Sequence, residues 1–311
     1  MSGPRGAVAV AFPGMGSSTF AEVGRFMVLD RYARRRTALA DEVLGRSLLE
    51  GFRAAEGVYD VHAQVAFLVN SLALADRAEQ ELGLRPDFCV GASIGQRAAA
   101  AYVGALDFAD AVRLTVDLVR CEDEYFAGEP DDLVTHCFVR VPGRPFLELV
   151  EERAARGDWI EISGHLDEGA YLVSLRAALL DELVAAVRAL GGYSMQTMRP
   201  PVHARRFAPL RAKAAAEVFA RYPLAEPALP VIADQDGRRI GSAAELHTML
   251  LDTFDRPIHW PAVVGALKDE GVSTLYVTGP DLLFHRLDVT AGNFEVIPVT
   301  PKTASKPVPV Q

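Results

Sequence analysis

The sequence predicts an α/β protein with a second, smaller unit of strands and helices set into it. Three observations carry that expectation. The short apolar run "AVAVAF" (7–12) has the character of a buried strand and leads directly into a glycine-rich turn, "PGMGSS". A second run, "DFCVGAS" (87–93), passes into the helix-forming stretch "IGQRAAAAYVGA", so strand, sharp turn and helix succeed one another around one serine. Mid-chain, "VTHCFVRV" (134–141), "RPFLELVEERAARG", "WIEISGH", "AYLVSL", "AALLDELVAAVRALGG" and "YSMQTM" read as strand, helix, strand, strand, helix, strand. That βαββαβ order is the ferredoxin-like pattern.

The remaining elements fall between these. A helical stretch is expected around 19–39. A longer apolar-periodic one at 61–83 ends at Gly83, a C-cap residue free to take positive φ. Asp107 precedes "FADAVRLTVDLVRCEDEYF" and caps the helix it predicts. After residue 199 helices return, with strands at "LPVIAD" and "STLYVTG". The division that follows is a large subdomain from 1–129 and 200–299, a ferredoxin-like small subdomain at 130–199, and a proline- and lysine-rich mobile tail at 300–311. The chain shows no internal repeat.

Bulk composition narrows the function. With 311 residues, 50% apolar and 23% charged, the chain has the composition of a soluble globular protein. A net charge of −9 disfavours general binding to nucleic acid. Cys89, Cys121 and Cys137 are odd in number and form no C-x-x-C pair, which argues against a disulfide scaffold. No cysteine–histidine cluster offers a metal or redox site. The apolar run at the N-terminus is too short for a signal peptide, and no window reaches the ~18–20 apolar residues of a membrane span. A cytoplasmic protein is expected, with no membrane or nucleic-acid partner.

Chemistry concentrates at Ser93, in Gly91-Ala92-Ser93-Ile94-Gly95. Small flanking residues let the backbone turn tightly and raise the hydroxyl at a helix N-terminus, where the Ile94 N–H can face a developing oxyanion. The competing reading is a tight strand-to-helix turn whose serine is an N-cap. A nucleophilic serine needs a base, and the histidines are 62, 136, 165, 203, 247, 259 and 285. His203 stands apart in "RPPVHARRF", a loop stiffened by Pro200 and Pro201.

Four segments occur in one order: "VAFPGMGSS", "VGASIGQ", "PVHARRFAPL" and "RPIHWPAVVGALKDEGVSTLYVTGPDLL". Together they resemble the malonyl-CoA:acyl-carrier-protein transacylases and the acyltransferase domains of polyketide synthases, over about 7–298. The resemblance implies an α/β-hydrolase-like large subdomain with a parallel sheet, plus an inserted ferredoxin-like small subdomain. It implies a serine–histidine dyad of Ser93 and His203 working by ping-pong acyl transfer. It places the oxyanion donors at the backbone N–H groups of Met15 and Ile94, and the carbonyl that steadies the histidine at Thr253. It implies no bound cofactor, since the acyl group travels on the phosphopantetheine of a carrier protein or on CoA. The partners implied are donor and acceptor acyl carrier proteins, and the chain is expected to be a monomer. Basic residues offered for docking are Arg205 and Arg206 beside the histidine and Arg153 and Arg156 on a small-subdomain helix; "RYARRR" (31–36) is a further cluster. For such runs the competing reading is a solvated face.

The departures concern the acyl pocket. Malonyl-selective members clamp the free carboxylate with an arginine 25 residues after the serine; here that position is Leu118. Arg120 lies two positions on, about 200° around a helix. Leu118 also joins Leu114 at i+4 on an apolar stripe. Ala92 stands where the family has histidine, Val202 where it commonly has phenylalanine, and "LDE" (166–168) where it has Asn-Ser-Pro. An acyl pocket bounded by Ala92, Leu118 and Val202 would leave a carboxylate unpaired. The expectation is therefore a discrete acyltransferase for a non-malonyl group, aminoacyl or dipeptidyl, resembling those of macrolactam antibiotic biosynthesis of the vicenistatin type. The alternatives are a proofreading acyl hydrolase, a malonyl transferase whose clamp is restored by Arg97 or Arg120, and an inactive carrier-binding scaffold.

Overall fold

The computed structural model describes residues 6–14, 16, 18–57, 59–130 and 132–305. Eleven strands appear among them: β1 Ala7–Phe12, β2 Phe88–Gly91, β3 Leu133–Val139, β4 Ile160–Asp167, β5 Ala170–Arg176, β6 Tyr193–Met198, β7 Val231–Ile232, β8 Arg239–Ile240, β9 Ile258–His259, β10 Val272–Thr278 and β11 Glu295–Val299. They form two sheets, ordered β11-β10-β1-β2-β7-β8 and β6-β3-β5-β4-β9. The first is parallel except for β8, which pairs antiparallel to β7 at the edge.

β1 lies inside the parallel sheet, which explains its unbroken apolar sequence. Val8, Val10 and Phe12 enter one core cluster while Ala9 and Ala11 enter another, so both faces of the strand are covered. The helix Val61–Glu81 supplies Phe67, Leu68, Leu72 and Leu74 to the first cluster. Trp260, Val263 and Leu267 from the helix Trp260–Asp269 join the second.

The second sheet carries the ferredoxin-like arrangement. Its strands β6-β3-β5-β4 pair antiparallel, with helices Gly143–Ala155 and Leu180–Ala189 between them in sequence. β9, from far down the chain, extends this sheet by pairing parallel to β4. That short pairing, Gly164 with Ile258 and His165 with His259, stitches the small sheet to the segment that follows the histidine loop.

Two expectations need correcting. The stretch 19–39 is two helices, Phe20–Leu29 and Arg31–Leu44. Asp30 ends the first in an extended conformation and its carboxylate caps the second, accepting from Tyr32 and Ala33 N–H. The expected tail at 300–311 begins instead as a short helix, Pro301–Ala304, capped by Thr300 and with Pro301 buried. Residues 306–311 lie outside the described residues.

The parallel strands point their C-terminal ends the same way. The loops leaving β1, β2, β7 and β10 therefore deliver Gly14, Ser93, Asp234 and Asp281 to one edge of the sheet, where ligands bind in open α/β sheets.

Candidate active site

Ser93 occupies the turn between β2 and the helix Gly95–Tyr102 with φ of 51°, in the left-handed region that a non-glycine residue rarely adopts. Holding it there costs about 1–3 kcal/mol and keeps the hydroxyl proud of the sheet edge. The two glycines of the pentapeptide are required sterically. A Cβ at Gly91 would sit 2.5 Å from Gln96 Cα, and one at Gly95 would sit 2.3 Å from the Phe12 carbonyl oxygen. The turn thus packs backbone against backbone on both sides. The Ile94 N–H has no hydrogen-bond partner among the described residues, as an oxyanion donor requires.

His203 reaches the serine from 110 residues away. Its Nε2 lies 2.8 Å from Ser93 Oγ, and its Nδ1 lies 3.3 Å from the Arg256 carbonyl oxygen. A carbonyl can only accept, so Nδ1 carries the ring proton and Nε2 is left as the base. His203 also has positive φ, 66°, and its N–H donates to Phe254 O at 3.0 Å. The ring is buried, and burial holds its pKa down at about 4 against the opposing effect of the Arg256 carbonyl. The imidazole is therefore neutral near pH 7, the form a general base needs.

A buried polar chain stands behind the serine. Asp234 is fully buried and accepts from Ser93 N–H at 2.7 Å and from Gln96 Nε2 at 2.6 Å. Gln96 Oε1 in turn accepts from the Thr253 hydroxyl at 2.7 Å. Burial pushes Asp234 up to about 7, while the two donors pull the other way. The chain ties the strained elbow to β7 and to the helix Ala243–Asp255 that leads to Arg256.

Ser93 and His203 open onto a cavity of about 280 Å³. Its mouth carries Met195 and Leu282, each 59% exposed. Its wall includes Cys137, Leu166, Leu172 and Val202. Burial pushes the Cys137 thiol up to about 12, so it remains neutral. Among the described residues, one arginine lines this wall, Arg97 on the helix Gly95–Tyr102, and it is buried. Its Nη1 donates to Gln64 Oε1 at 2.8 Å, and its Nη2 lies 3.5 Å from Glu122 Oε1. Burial lowers the Arg97 pKa and raises that of Glu122, and each opposes the shift of the other.

Known proteins share this frame. The family model for the VinK acyltransferase small domain matches residues 137–198, from within β3 to the end of β6. The malonyl CoA-acyl carrier protein transacylase of Escherichia coli K12 is 25% identical over 279 residues, covering 88% of each chain. The crystal structure of FabD from Acinetobacter baumannii superposes with a TM-score of 0.82 at 20% identity, covering 97% of this chain and 98% of that one. A malonyl-transacylase in complex with its type II polyketide synthase acyl-carrier protein also gives 0.82 at 20% identity, covering 94% and 96%. The chain has the fold of the malonyl-CoA:acyl-carrier-protein transacylases and is similar to them in sequence over most of its length. Its homologues are acyltransferases, and its fold is theirs.

Within that fold, several residue expectations change. The carbonyl beside His203 is that of Arg256, not Thr253. Arg256 precedes Pro257, which drives it out of the helical conformation to φ −117°, ψ 138° and turns its carbonyl toward the ring. Thr253 is still inside the helix and acts through its hydroxyl on Gln96. Of the three acyl-pocket residues expected, only Val202 lines the cavity. Leu118 is buried in the large core with Leu114, and Ala92 is buried in the cluster on the opposite face of β1. Leu166, in the "LDE" segment, does line the cavity. Met15 lies outside the described residues, between Gly14 and Gly16, which both line the same cavity.

The arginines offered for docking separate into kinds. Arg153 is buried and paired to Glu182 at 2.8 Å, so it is not a free surface charge. Arg156 is exposed and pairs with Glu152. Arg206 pairs with Glu129 at 2.8 Å and stacks over Trp159. Arg205 is exposed; its backbone N–H donates to Glu161 and its carbonyl accepts from Ala208 N–H, with no ion pair of its side chain among the described residues. Arg120 points away from the cavity, its side chain 69% exposed beside Asp117, as helix geometry requires.

The sequence reading missed Asp234, Gln96, Gln64 and Glu122. A carboxylate two residues past the end of a strand, in "LPVIAD", was the one available sign of Asp234. From the sequence, Arg97 stands only as a substitute clamp. Among the described residues, no group of three or more metal-ligating side chains is found and no helix is long and apolar enough to cross a membrane.

Proposed function

We propose that this chain transfers a non-malonyl acyl group, of aminoacyl or dipeptidyl type, between the phosphopantetheine thiols of two carrier proteins through an acyl-Ser93 ester. His203 Nε2 takes the Ser93 proton as Oγ attacks the thioester carbonyl. The Ile94 N–H, and by the family resemblance that of Met15, hold the oxyanion. Collapse breaks the C–S bond, and the imidazolium returns the proton to the departing thiol. The Arg256 carbonyl steadies Nδ1–H while the ring is charged. A second thiol then reverses these steps. No metal or resident cofactor enters this scheme. The partner class is supported by the relative solved in complex with its acyl-carrier protein.

One observation carries the reading. The nucleophile and base are 2.8 Å apart at a cavity whose guanidinium is already matched by a buried carboxylate. A malonyl carboxylate entering this wall would meet Glu122 as well as Arg97. An anion desolvated without a partner of its own costs several kcal/mol or more. An uncharged or amino-bearing group avoids that cost.

The presence of Arg97 in the wall keeps one second reading in play, malonyl transfer with Arg97 released from Glu122. Intact-mass measurement of acyl-Ser93 across malonyl, acetyl, aminoacyl and dipeptidyl thioesters decides between them. The proposal expects mass shifts from the uncharged or amino-bearing groups and none from malonyl. Malonyl as the fastest donor would reverse it. Release of free acid in place of transferred product would mark a hydrolase.

A further inference from the structure

Among the described residues, the cavity wall contains two carboxylates in different states. Asp281 is fully engaged: it accepts from Leu283, Phe284 and His285 N–H and from the His285 ring, at 2.7–2.9 Å. Glu122 is not. Its one contact among the described residues is Arg97 Nη2 at 3.5 Å, beyond the ~2.7–3.2 Å of a good N–H···O bond. An ionised carboxylate has about four acceptor sites. Glu122 is 7% exposed, so water reaches it only through the cavity. No other hydrogen bond to its side chain is found among the described residues: Gln64 donates one N–H to the Tyr59 carbonyl at 3.0 Å and accepts from Arg97.

We infer that Glu122 is the specificity-determining acceptor for an N–H donor on the acyl chain, an ammonium or amide nitrogen, and that by pairing with Arg97 it excludes acyl groups ending in a carboxylate. This rests on the acyl-Ser93 reading and narrows its substrate class. A bound ammonium or amide N–H supplies a hydrogen bond that burial removed from Glu122 and that Arg97, at 3.5 Å, does not replace. A bound carboxylate must share Arg97 with Glu122, and the two anions repel. Placement agrees with a recognition role: Arg97, Gln64 and Glu122 are buried, whereas the exposed Met195 and Leu282 mark the entrance where the carrier arm enters. The acyl end of the substrate therefore meets Glu122.

The test is acyl-Ser93 formation followed by intact mass with matched thioesters. β-Alanyl is compared with propionyl, glycyl-β-alanyl with acetyl-β-alanyl, and malonyl is run beside them. The wild-type chain is expected to favour the amino-bearing member of at least one pair by about ten- to a hundredfold in kcat/KM, the size of a hydrogen bond to a charged group. Glu122→Gln should bring that ratio to within about threefold and raise malonyl loading at least about tenfold, because Arg97 is then free. Arg97→Gln, which keeps the carboxylate, should keep the amine preference and gain no malonyl loading. Thermal melts of both variants confirm folding, and the wild-type ratio needs no variant. Equal loading of both members of both pairs, or an amine preference that survives Glu122→Gln, overturns this inference while leaving acyl transfer standing. No acyl-Ser93 from any thioester overturns the acyl-transfer reading and this one together.

Discussion

The two ends of the cavity are built by opposite means. At the nucleophile, position is set by backbone: two residues in the left-handed region, Ser93 and His203, and two glycines against which no side chain could fit. At the far wall of the cavity, position is set by side chains from three helices, with the buried Gln64, Arg97 and Glu122 in contact. Backbone strain is local and is written into a pentapeptide. A buried charge balance depends on which helix faces face each other. The contrast separates chemistry from selectivity within one pocket, and variants can test whether that separation holds.

The largest effect should come from the nucleophile end. Ser93→Ala is expected to abolish acyl-enzyme and lower turnover by about 10⁴-fold or more, as loss of a serine nucleophile does elsewhere. Intact mass and product release read this directly. Residual acylation at another residue would break the comparison, because the chemistry would no longer belong to the elbow.

Leu118→Ala comes next and separates the packed core from the acyl wall. Leu118 is 2% exposed within the large core, so the variant should lose about 2–5 kcal/mol of stability. Its ranking of acyl donors should stay that of the parent. A changed donor ranking in the same mass assay would return Leu118 to the pocket.

Asp234 tests how far the elbow depends on its support. Asp234→Ala leaves the Ser93 N–H and the Gln96 amide without an acceptor, and loading should fall about tenfold. Asp234→Asn keeps one carbonyl acceptor and should fall by about two- to threefold. A loss seen only in stability, with kcat unchanged, would make Asp234 a core residue and not a positioning one.

The smallest expected effect is in pH dependence. Because burial holds His203 at about 4, the acid limb of acyl-enzyme formation should lie near pH 4 and not near 6.5. The sign for stability follows from the same shift. The folded state binds this proton less readily than the unfolded chain, so the neutral ring's contribution is complete above about pH 6.5 and is lost as pH falls toward about 4. An acid limb near 6.5 would mean that solvent reaches the ring and that the buried wall does not extend to the base.

Legibility followed the same divide. The elbow around Ser93 and the βαββαβ order of the second sheet were readable because each depends on neighbours in sequence, whereas the pairing with His203, 110 residues away, rested on the family resemblance. Asp30 as a helix break was missed because its cap competes with an otherwise continuous helical pattern across 19–39. The Thr253 assignment failed by three residues: counting back from Pro257 ignores that proline itself turns out the carbonyl just before it. Leu118 was placed in the pocket by register alone; it packs in the core, and only Glu122, one turn further along the same helix, reaches the cavity.

From sequence alone came a strand–turn–helix serine, a distant histidine with reason to approach it, and the absence of an arginine at one position. These are matters of local sterics and of residue identity, which a chain carries with it. That Arg97 enters the cavity from the elbow helix, that Glu122 comes across from another helix to meet it, and that Asp234 sits under Ser93 were decided only by the packed structure. Each depends on burial, and burial is a property of how distant segments close over one another to exclude water.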